Sequence, residues 1–408
     1  MTNSLLQQLN QRVAKARDPI LEFLRQIVAI PSLESDIEAV GRRVCEEMEK
    51  LDFDEVYVDR YGSAVGRVGE GETILLFDSH LDTVGVGDPA SWEWDPFQGK
   101  VEEGMFYARG ASDEKGSTPG MIYAMAIARD LGLLDGYTVY YLGNVEEWCD
   151  GIACQAFHEW EKITPDFVVI GEPTNMNVYR GHKGRVELEV ICKGKSAHAA
   201  SNFMGDNAIY KMTPLIDAIR KMDATLPSHD FLGQGRITVT RVSSLGPSDN
   251  AVPDHCQIFI DRRITFGETR ESVIDAIQSL IPQAHRDDFE VRQLVYDTPS
   301  HTGAVFVYEK FFPAWALEET DPLVRAGKNV LKRVWNKDQP AGKWDFSTNG
   351  NYWCGKAGIP SVGYGPGDEV YAHSVNEHVA LDDVVEATKF YALLPEAIGR
   401  EVGEKAAP

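Results

Sequence analysis

The chain has 408 residues, and 63 acidic against 40 basic side chains give it a formal net charge of −23 at pH 7. Its 43% hydrophobic and 25% charged residues are typical of a folded globular protein with more than one domain. These values exclude global disorder. The negative charge argues against nucleic acid or an anionic membrane surface as a main partner, because both carry phosphate groups that repel such a chain.

Two further features of the sequence indicate the compartment. The longest uncharged apolar runs fall short of the ~18 residues that cross a bilayer, and the N-terminus has no apolar core followed by a cleavage site. The six cysteines form no CxxC pair, which is typical of free thiols and not of zinc ligands. We therefore expect a cytoplasmic protein without a membrane span.

The first part of the chain alternates helical and strand patterns, which is typical of an α/β fold with a mostly parallel sheet. Apolar residues at three-to-four spacing predict the helices, and short apolar runs between turn residues predict the strands. We expect helices over 5–30 (with Pro19 as a point where the helix could break), 36–51, 117–134 and 151–162, and strands over 55–58, 64–68, 73–77, 138–145 and 166–170.

The pattern changes near residue 180. From there the order β-α-β-β-α-β fits a small ferredoxin-like α+β domain with one exposed sheet face. After about residue 296 the α/β pattern returns, with helices expected over 321–335, 350–356 and 381–398 and a strand over 361–364. The sequence thus predicts a discontinuous domain, 1–180 and 297–408, interrupted by an inserted domain, 181–296.

Histidine and acidic residues lie where the predicted α/β strands end or where a loop leads into a helix. The set consists of His80, Asp82, Asp113, Glu146, Glu147, Glu172 and His373. Each motif alone has a structural explanation, such as a helix N-cap at Asp113. Their joint order favours convergence, because ligands collect at the carboxyl ends of strands in an open α/β sheet. Several like charges in one crevice are costly without a cation, so the sequence predicts a metal site.

The ligand types narrow the choice of metal. Two imidazoles and three carboxylates without a thiolate suit zinc, manganese or cobalt. A carboxylate shared between two ions gives the following sets: His80, Asp113 and Glu172 for one ion, and Asp113, Glu147 and His373 for the other. Asp82 is placed to fix the tautomer of His80. Glu146 then has no ligand role and is free to move a proton as general base.

The motifs that carry these residues resemble those of the M20 family of metallopeptidases and deacylases. They are, in chain order, SHLDTV, RGASDEKG, VEEW, GEPT and AHSVNE. The runs WDFSTNGNYW and YGPGDE most resemble the YgeY-like subgroup of that family. The resemblance covers almost the whole chain and implies a pair of zinc ions bridged by Asp113, Glu146 as general base, and an inserted domain that forms a homodimer.

The resemblance also implies a set of residues that contact the substrate. By motif, His198 would stabilise the oxyanion in the active site of the neighbouring subunit, and Asn250 and Arg263 would hold a substrate carboxylate. A guanidinium fork suits that task, and Arg262 is the competing choice because alternation puts one arginine on each sheet face. The pocket would be lined by Thr348, Asn349 and Gly365.

The sequence therefore predicts a two-metal hydrolase that cleaves an amide bond in a small N-acyl amino acid or short peptide with a free carboxylate. Two alternatives stay open. The enzyme could be a dipeptidase or carboxypeptidase and not a deacylase. The chain could also be a non-catalytic relative that binds a small amide, although the metal positions and the base are all filled.

Overall fold

The computed structural model describes residues 3–33 and 37–406, which divide into two compact units. The first unit comprises Met1–Gly181, Thr298–Phe306 and Ala316–Pro408. The second comprises His182–Asp297 and Val307–Trp315. The late return of the chain to the second unit was not part of the sequence prediction; it arises because two short strands there pair with strands of that unit.

The helices and strands follow one another along the whole described chain. The helices are α1 Asn3–Val28, α2 Glu38–Lys50, α3 Ser117–Asp130, α4 Ile152–Glu161, α5 Ala208–Met222, α6 Arg270–Ser279, α7 Pro322–Trp335 and α8 Leu381–Ala406. The strands are β1 Glu55–Val58, β2 Ala64–Val68, β3 Thr73–His80, β4 Lys100–Glu102, β5 Met105–Tyr107, β6 Tyr137–Asn144, β7 Phe167–Ile170, β8 Tyr179–His182, β9 Gly184–Lys193, β10 Ser228–His229, β11 Gly233–Gln234, β12 Arg236–Leu245, β13 His255–Ile264, β14 Phe289–Gln293, β15 Val295–Tyr296, β16 Tyr308–Glu309, β17 Phe311–Phe312, β18 Trp315–Ala316, β19 Gly342–Trp344, β20 Ser361–Gly363 and β21 His378–Ala380.

The first unit is built on a central mixed sheet in the order β1-β2-β6-β3-β7-β20-β8. The strands β6, β3, β7 and β20 are parallel and form its middle, whereas β1, β2 and β8 pair antiparallel at the two sides. The α/β prediction is confirmed, with a sheet that is mixed because the short turn from β1 to β2 makes a hairpin and not a crossover. Parallel central strands end at one edge, which gathers their C-terminal residues.

Helices cover this sheet and bury its apolar strands. α3 packs against α1 and α8, and α8 also packs against α7. Residues Ser117–Ala128 of α3 are buried, so this helix lies inside the unit. α1 continues through Pro19 without the break that the sequence allowed, and α8 runs past the predicted end at residue 398. No helix in the described ranges has the length and apolar character that crossing a membrane requires.

The second unit is the predicted ferredoxin-like arrangement. Its antiparallel sheet has the order β12-β13-β9-β14, and α5 and α6 contribute to one apolar core with it. Leu188, Ile258 and Met212 are fully buried in that core. The outer strand β12 pairs with β13, and its other edge has no strand partner among the residues that the structure describes.

Candidate metal centre

The three middle parallel strands of the first unit deliver polar side chains to one edge of the sheet. β3 ends at His80, β6 ends two residues before Glu146, and β7 ends two residues before Glu172. His80 pairs with Asn144 in the ladder between β3 and β6, so the ends of these strands are level. The apolar residues within these three strands are buried in the sheet. The polar residues that end or follow the strands therefore lie together at its carboxyl edge.

The carboxylate of Asp113 lies between two imidazoles. Its Oδ1 is 2.9 Å from Nε2 of His80, and its Oδ2 is 3.1 Å from Nε2 of His373. Glu172 Oε1 is 3.8 Å from the same His80 nitrogen. His80 and Glu172 are buried, whereas the side chain of His373 is 65% exposed. A carboxylate that faces an imidazole on each side is the arrangement expected of a ligand shared by two ions.

The charges in this cluster perturb one another strongly. Burial raises the pKa of Glu147 and Glu172 well above the usual range, and neighbouring carboxylates add to that effect. Burial opposes the charged form of His80, yet the surrounding carboxylates raise its pKa well above the usual value. For Asp113, hydrogen bonds to both imidazoles outweigh burial and lower its pKa. A cation would relieve the repulsion among these acids.

The acids also leave oxygens available to an ion. Among the described residues, Glu114, Glu147 and Glu172 each have one buried carboxylate oxygen without a hydrogen-bond partner. Ligand atoms of His80, Glu114 and Glu172 lie within 4.8 Å of one another. Buried carboxylate oxygens normally find donors, so orphaned oxygens grouped around an imidazole fit a divalent cation.

Glu114 was not predicted from the sequence, although it directly follows Asp113. Its side chain accepts a hydrogen bond from the backbone N–H of His80 and thereby fixes the end of β3. The adjacent acid was the signal in the sequence, but the sequence could not show that its side chain turns towards β3. Glu114 thus adds a further buried carboxyl group to the cluster, and burial raises its pKa well above the usual range.

Asp82 contacts the site in two ways. Its backbone carbonyl accepts from Nδ1 of His80 at 2.8 Å, whereas its carboxylate oxygen Oδ1 is 3.8 Å from that nitrogen. The carboxylate instead accepts from the backbone N–H of Glu147 at 3.1 Å. The residue thus orients the imidazole through its main chain and holds the Glu147 loop through its side chain.

Glu146 is buried beside this cluster. Tyr61 donates a hydrogen bond to Glu146 Oε2 at 2.8 Å, a partner that the sequence did not reveal because Tyr61 lies 85 positions earlier in a turn. Glu146 and His373 both have positive φ, 59° and 63°, which is strained for residues other than glycine. Such backbone strain concentrates at functional sites.

The other predicted residues divide between the two units. Thr348, Asn349 and Gly365 are buried in the first unit. Asn349 donates to Asp78 at 3.2 Å. A side chain at Gly365 would collide with the carbonyl groups of Gly171 and Glu172, so glycine permits this loop to approach the end of β7.

His198, Asn250 and both arginines lie in the second unit. His198 is exposed, and the backbone carbonyl of Asn250 accepts from Ala199 N–H at 2.8 Å, so these two predicted residues are neighbours. Arg262 is buried and donates to Glu268 and to the carbonyl of Arg263. Arg263 lies on the other sheet face, as strand alternation requires.

The α/β fold and the histidine–carboxylate cluster define the class of a metal-dependent hydrolase. Residues 76–397 match Peptidase family M20/M25/M40, and the chain belongs to this family. The resemblance noted from the sequence is thereby confirmed. The chain is 41% identical over 385 residues to the uncharacterized protein YgeY of Escherichia coli (strain K12), with 93% of this chain and 95% of YgeY covered.

Solved structures of the family share the fold. The M20 family metallo-carboxypeptidase Sso-CP2 from Sulfolobus solfataricus superposes with a TM-score of 0.74 and 18% identity, covering 93% of this chain and 99% of that chain. The YXEP protein of Bacillus subtilis, described as a dinuclear metal binding peptidase from the M20 family, gives a TM-score of 0.69 and 14% identity and covers 94% and 98% of the two chains. This chain is accordingly an M20 family hydrolase.

Proposed function

We propose that the protein is a two-metal amide hydrolase that acts on a small N-acyl amino acid or short peptide with a free carboxylate. The observation that carries the proposal is the position of Asp113 between His80 and His373, at 2.9 and 3.1 Å. Family membership supports hydrolysis of a peptide or amide bond.

The donor set supports a divalent ion pair. His80, Asp113 and Glu172 would hold one ion, and Asp113, Glu147 and His373 the other. Zinc is the proposed metal, with cobalt or manganese as alternatives, because imidazole and carboxylate ligands suit all three. When bound, these ions act as Lewis acids that polarise the substrate carbonyl and make water a better nucleophile at neutral pH.

Glu146 is the proposed general base. Its buried carboxylate takes a proton from the attacking water and then transfers it to the departing amine. The hydrogen bond from Tyr61 to Oε2 at 2.8 Å orients the carboxylate for this proton transfer. Asp82 supports this geometry by holding the backbone N–H of Glu147, the next residue.

The proposed carboxylate anchor is Arg263 together with Asn250. Arg262 is buried and committed to Glu268 and to backbone carbonyls inside the second unit, whereas Arg263 lies on the other sheet face, where it pairs with Asp261. The greater exposure of Arg263, 28% against 2% for Arg262, favours it as the residue that meets a ligand. A guanidinium–carboxylate pair gives two parallel hydrogen bonds and so selects substrates that end in a free acid. Thr348, Asn349 and Gly365 are proposed to line the pocket, by their motif position.

We also propose a homodimer formed through the second unit. Its edge strand β12 exposes Val242 and Leu245, and Phe203 and Tyr210 near the start of α5 are 83% and 74% exposed. α5 packs against β12, so these exposed apolar residues lie on or next to neighbouring elements, and the outer edge of β12 has no strand partner among the described residues. A second copy satisfies both, because an equivalent strand completes the hydrogen bonds and an equivalent helix covers the apolar groups.

In this dimer His198 of each chain is proposed to stabilise the oxyanion in its partner's active site. Its exposure supports a role outside the core of its own unit. We also propose a cytoplasmic location, in keeping with the cysteines, which are all free.

The substrate class is tested by a panel assayed on metal-free protein after addition of zinc, cobalt or manganese. The panel contains N-acetyl, N-succinyl and N-carbamoyl amino acids, dipeptides, and the corresponding amides that lack the free carboxylate. We expect turnover of at least one class in its acid form, and little of the matched amides. Hydrolysis of dipeptides alone selects the peptidase alternative, which the description of Sso-CP2 favours. Stoichiometric metal and ligand binding without turnover of any compound would contradict the proposal.

A further inference from the structure

One more carboxylate outside the proposed ligand set, that of Asp78, is completely buried in the strand that leads to the metal centre. Asp78 is two residues before His80 in β3 and is 0% exposed. Its Oδ1 accepts from the amide groups of Asn144 and Asn349, the latter at 3.2 Å. Its Oδ2 accepts from Trp353 Nε1 at 2.5 Å and from the Cys154 thiol at 3.2 Å. Burial raises the pKa of Asp78, and these four hydrogen bonds oppose that effect because all of them favour the ionised carboxylate.

The four donors come from separate segments of the first unit. Asn144 ends β6 immediately before the loop with Glu146, and Cys154 lies on α4. Asn349 and Trp353 belong to the segment 348–353, which begins at Thr348 and leads into a π-helical turn, Asn351–Lys356. Asp78 thus connects the strand that ends at His80 with the segment proposed to line the substrate pocket.

Backbone ladders hold the strand β3 in register, whereas the segment 348–353 is held by turn hydrogen bonds and by side-chain contacts such as those to Asp78. Residues 73–80 of β3 pair continuously with β6, and β7 pairs on the other side. The segment 348–353 forms no strand ladder. Its neighbour Ser347 donates a hydrogen bond to Asp150 in the loop after β6, and Tyr352 is hydrogen-bonded to His158 on α4, both at 2.6 Å. Asp78 adds the contact with β3.

We propose that Asp78 is a positioning residue for the substrate pocket: it holds the segment 348–353 at the carboxyl ends of β3 and β6. The proposal rests on the proposed function for its kinetic consequence, though not for its structural one. A carboxylate suits this task because it accepts from donors on several sides at once, and charge-assisted hydrogen bonds are stronger than neutral ones. Its removal leaves the buried amide and indole donors unsatisfied.

The side-chain amides of Asn144 and Asn349 make it possible to remove the charge of Asp78 while keeping its hydrogen bonds. Asn144 Oδ1 and Asn349 Oδ1 have no hydrogen-bond partner among the residues that the structure describes. In Asp78→Asn both amides can therefore turn and accept from the new amide, while its oxygen still accepts from Trp353 and Cys154. Asp78→Val has a similar shape and removes all four hydrogen bonds. The asparagine variant is thus the conservative substitution that should rescue a positioning role.

The test compares these variants as metal-loaded full-length proteins. Hydrogen–deuterium exchange of a peptide covering 348–353 should be about tenfold faster or more in Asp78→Val, and within about threefold of wild type in Asp78→Asn. With a substrate from the panel, Asp78→Val should lower kcat/KM about 100-fold, mainly through KM, because the displaced segment includes residues proposed to bind substrate. Metal content should stay unchanged in both.

Glu47→Gln is the matched control, because Glu47 is a 0% exposed carboxylate of the same unit that bonds to Tyr123 and Arg43 in a different region. It should leave exchange of the peptide and KM unchanged. If Asp78→Val does not fold, Trp353→Phe removes one donor and should raise exchange and KM in the same direction by a smaller factor.

Equal effects of Asp78→Asn and Asp78→Val would overturn the proposal, because the charge and not the tether would then matter. Unchanged exchange in Asp78→Val, or loss of metal with unchanged exchange, would overturn it as well. If the wild-type protein hydrolyses no amide, the proposed function is wrong but the positioning role of Asp78 is not, since the exchange measurement needs no substrate.

Discussion

The side chain of Glu377 binds the main chain of Asp113: Glu377 Oε1 accepts a hydrogen bond from the backbone N–H of Asp113 at 3.0 Å. The same oxygen accepts from Ser112 N–H at 3.0 Å, and Oε2 accepts from Arg109 at 2.6 Å. The side chains of Arg109 and Glu377 are 2% and 0% exposed. Since Glu377 follows His373 by four residues, this buried ion pair joins the loops that supply two proposed ligands.

Burial raises the pKa of Glu377 to about 7, so its variant is best compared with wild type at pH 8, where the carboxylate is ionised. There we expect Glu377→Gln to destabilise the protein by about 3–5 kcal/mol, because it leaves the Arg109 charge buried without its counter-charge. It should also weaken metal binding, since Asp113 loses the support of its loop. Urea unfolding and chelator competition measure the two effects. Glu396→Gln is the control, because Glu396 pairs with Arg333 nearer the surface and its loss should cost about 1 kcal/mol or less. If the two variants lose the same free energy of unfolding, burial of the Arg109–Glu377 pair does not increase the cost of removing one partner.

Replacement of Glu146 tests the proposed base. We expect Glu146→Gln to bind metal like wild type and to lose about 10²- to 10⁴-fold in kcat, because the amide cannot accept the proton. Tyr61→Phe should reduce kcat less, since the carboxylate remains but loses one orienting hydrogen bond. Glu159→Gln, on the exposed side of α4, should leave kcat unchanged. Turnover retained in Glu146→Gln at full metal occupancy would remove Glu146 from the mechanism.

The sequence could predict those site residues that directly follow apolar strands. His80 and Glu172 are recognisable because a buried strand precedes each and the parallel order brings their ends together. Glu377, Tyr61 and Asp78 could not be assigned in this way. Their roles depend on partners up to about 270 residues away in the chain, and no local periodicity encodes such a contact.

The length of each apolar pattern in the sequence also determines which helices and strands can be predicted. The apolar runs of β3, β6 and β7 gave the central sheet, whereas the three-residue strands β4, β5 and β21 were missed because their alternation is too short to distinguish from a loop. The segment 350–356 is predicted as a helix, and the structure has a π-helical turn over Asn351–Lys356. Apolar spacing over a single turn does not distinguish the two kinds of helix.

The edge strand β12 gives a direct test of the homodimer. We expect Val242→Lys combined with Leu245→Lys to convert a dimer into a monomer. The lysines place positive charge on both faces of β12, where it would pair with β12 of the second copy. Light scattering after size-exclusion chromatography measures the mass. Val295→Lys, at another exposed apolar position of the same unit, should leave the mass unchanged.

Dissociation should also lower turnover if His198 acts across the dimer. His198→Ala should keep the dimer mass and reduce kcat about 10- to 1000-fold, as loss of one oxyanion donor does in other enzymes. A monomer with wild-type turnover would contradict the proposed role of His198, and a monomeric wild type would contradict the dimer itself.

Asp59 gives a prediction for the pH dependence of stability. It lies in the turn between β1 and β2, where its Oδ1 accepts from the backbone N–H groups of Gly62 and Ser63. Burial raises the pKa of this carboxyl from 3.8 to about 6. Because the folded protein holds the proton more tightly than the unfolded chain, the stabilisation is complete below about pH 4 and is lost as the pH rises through 6.

In Asp59→Asn this titration is absent, so the variant should gain stability relative to wild type between pH 4 and 7, by about 3 kcal/mol for a shift of about two pKa units. Urea unfolding at a series of pH values measures the difference, in which the titrations common to both proteins cancel. Asp95→Asn is a control in which the stability difference from wild type should change with pH in the opposite direction. Hydrogen bonds from Gln98 and Phe97 lower the pKa of exposed Asp95, so its contribution is present at neutral pH and is lost as the pH falls. A difference between Asp59→Asn and wild type that does not change with pH would mean that folding leaves the pKa of Asp59 unshifted.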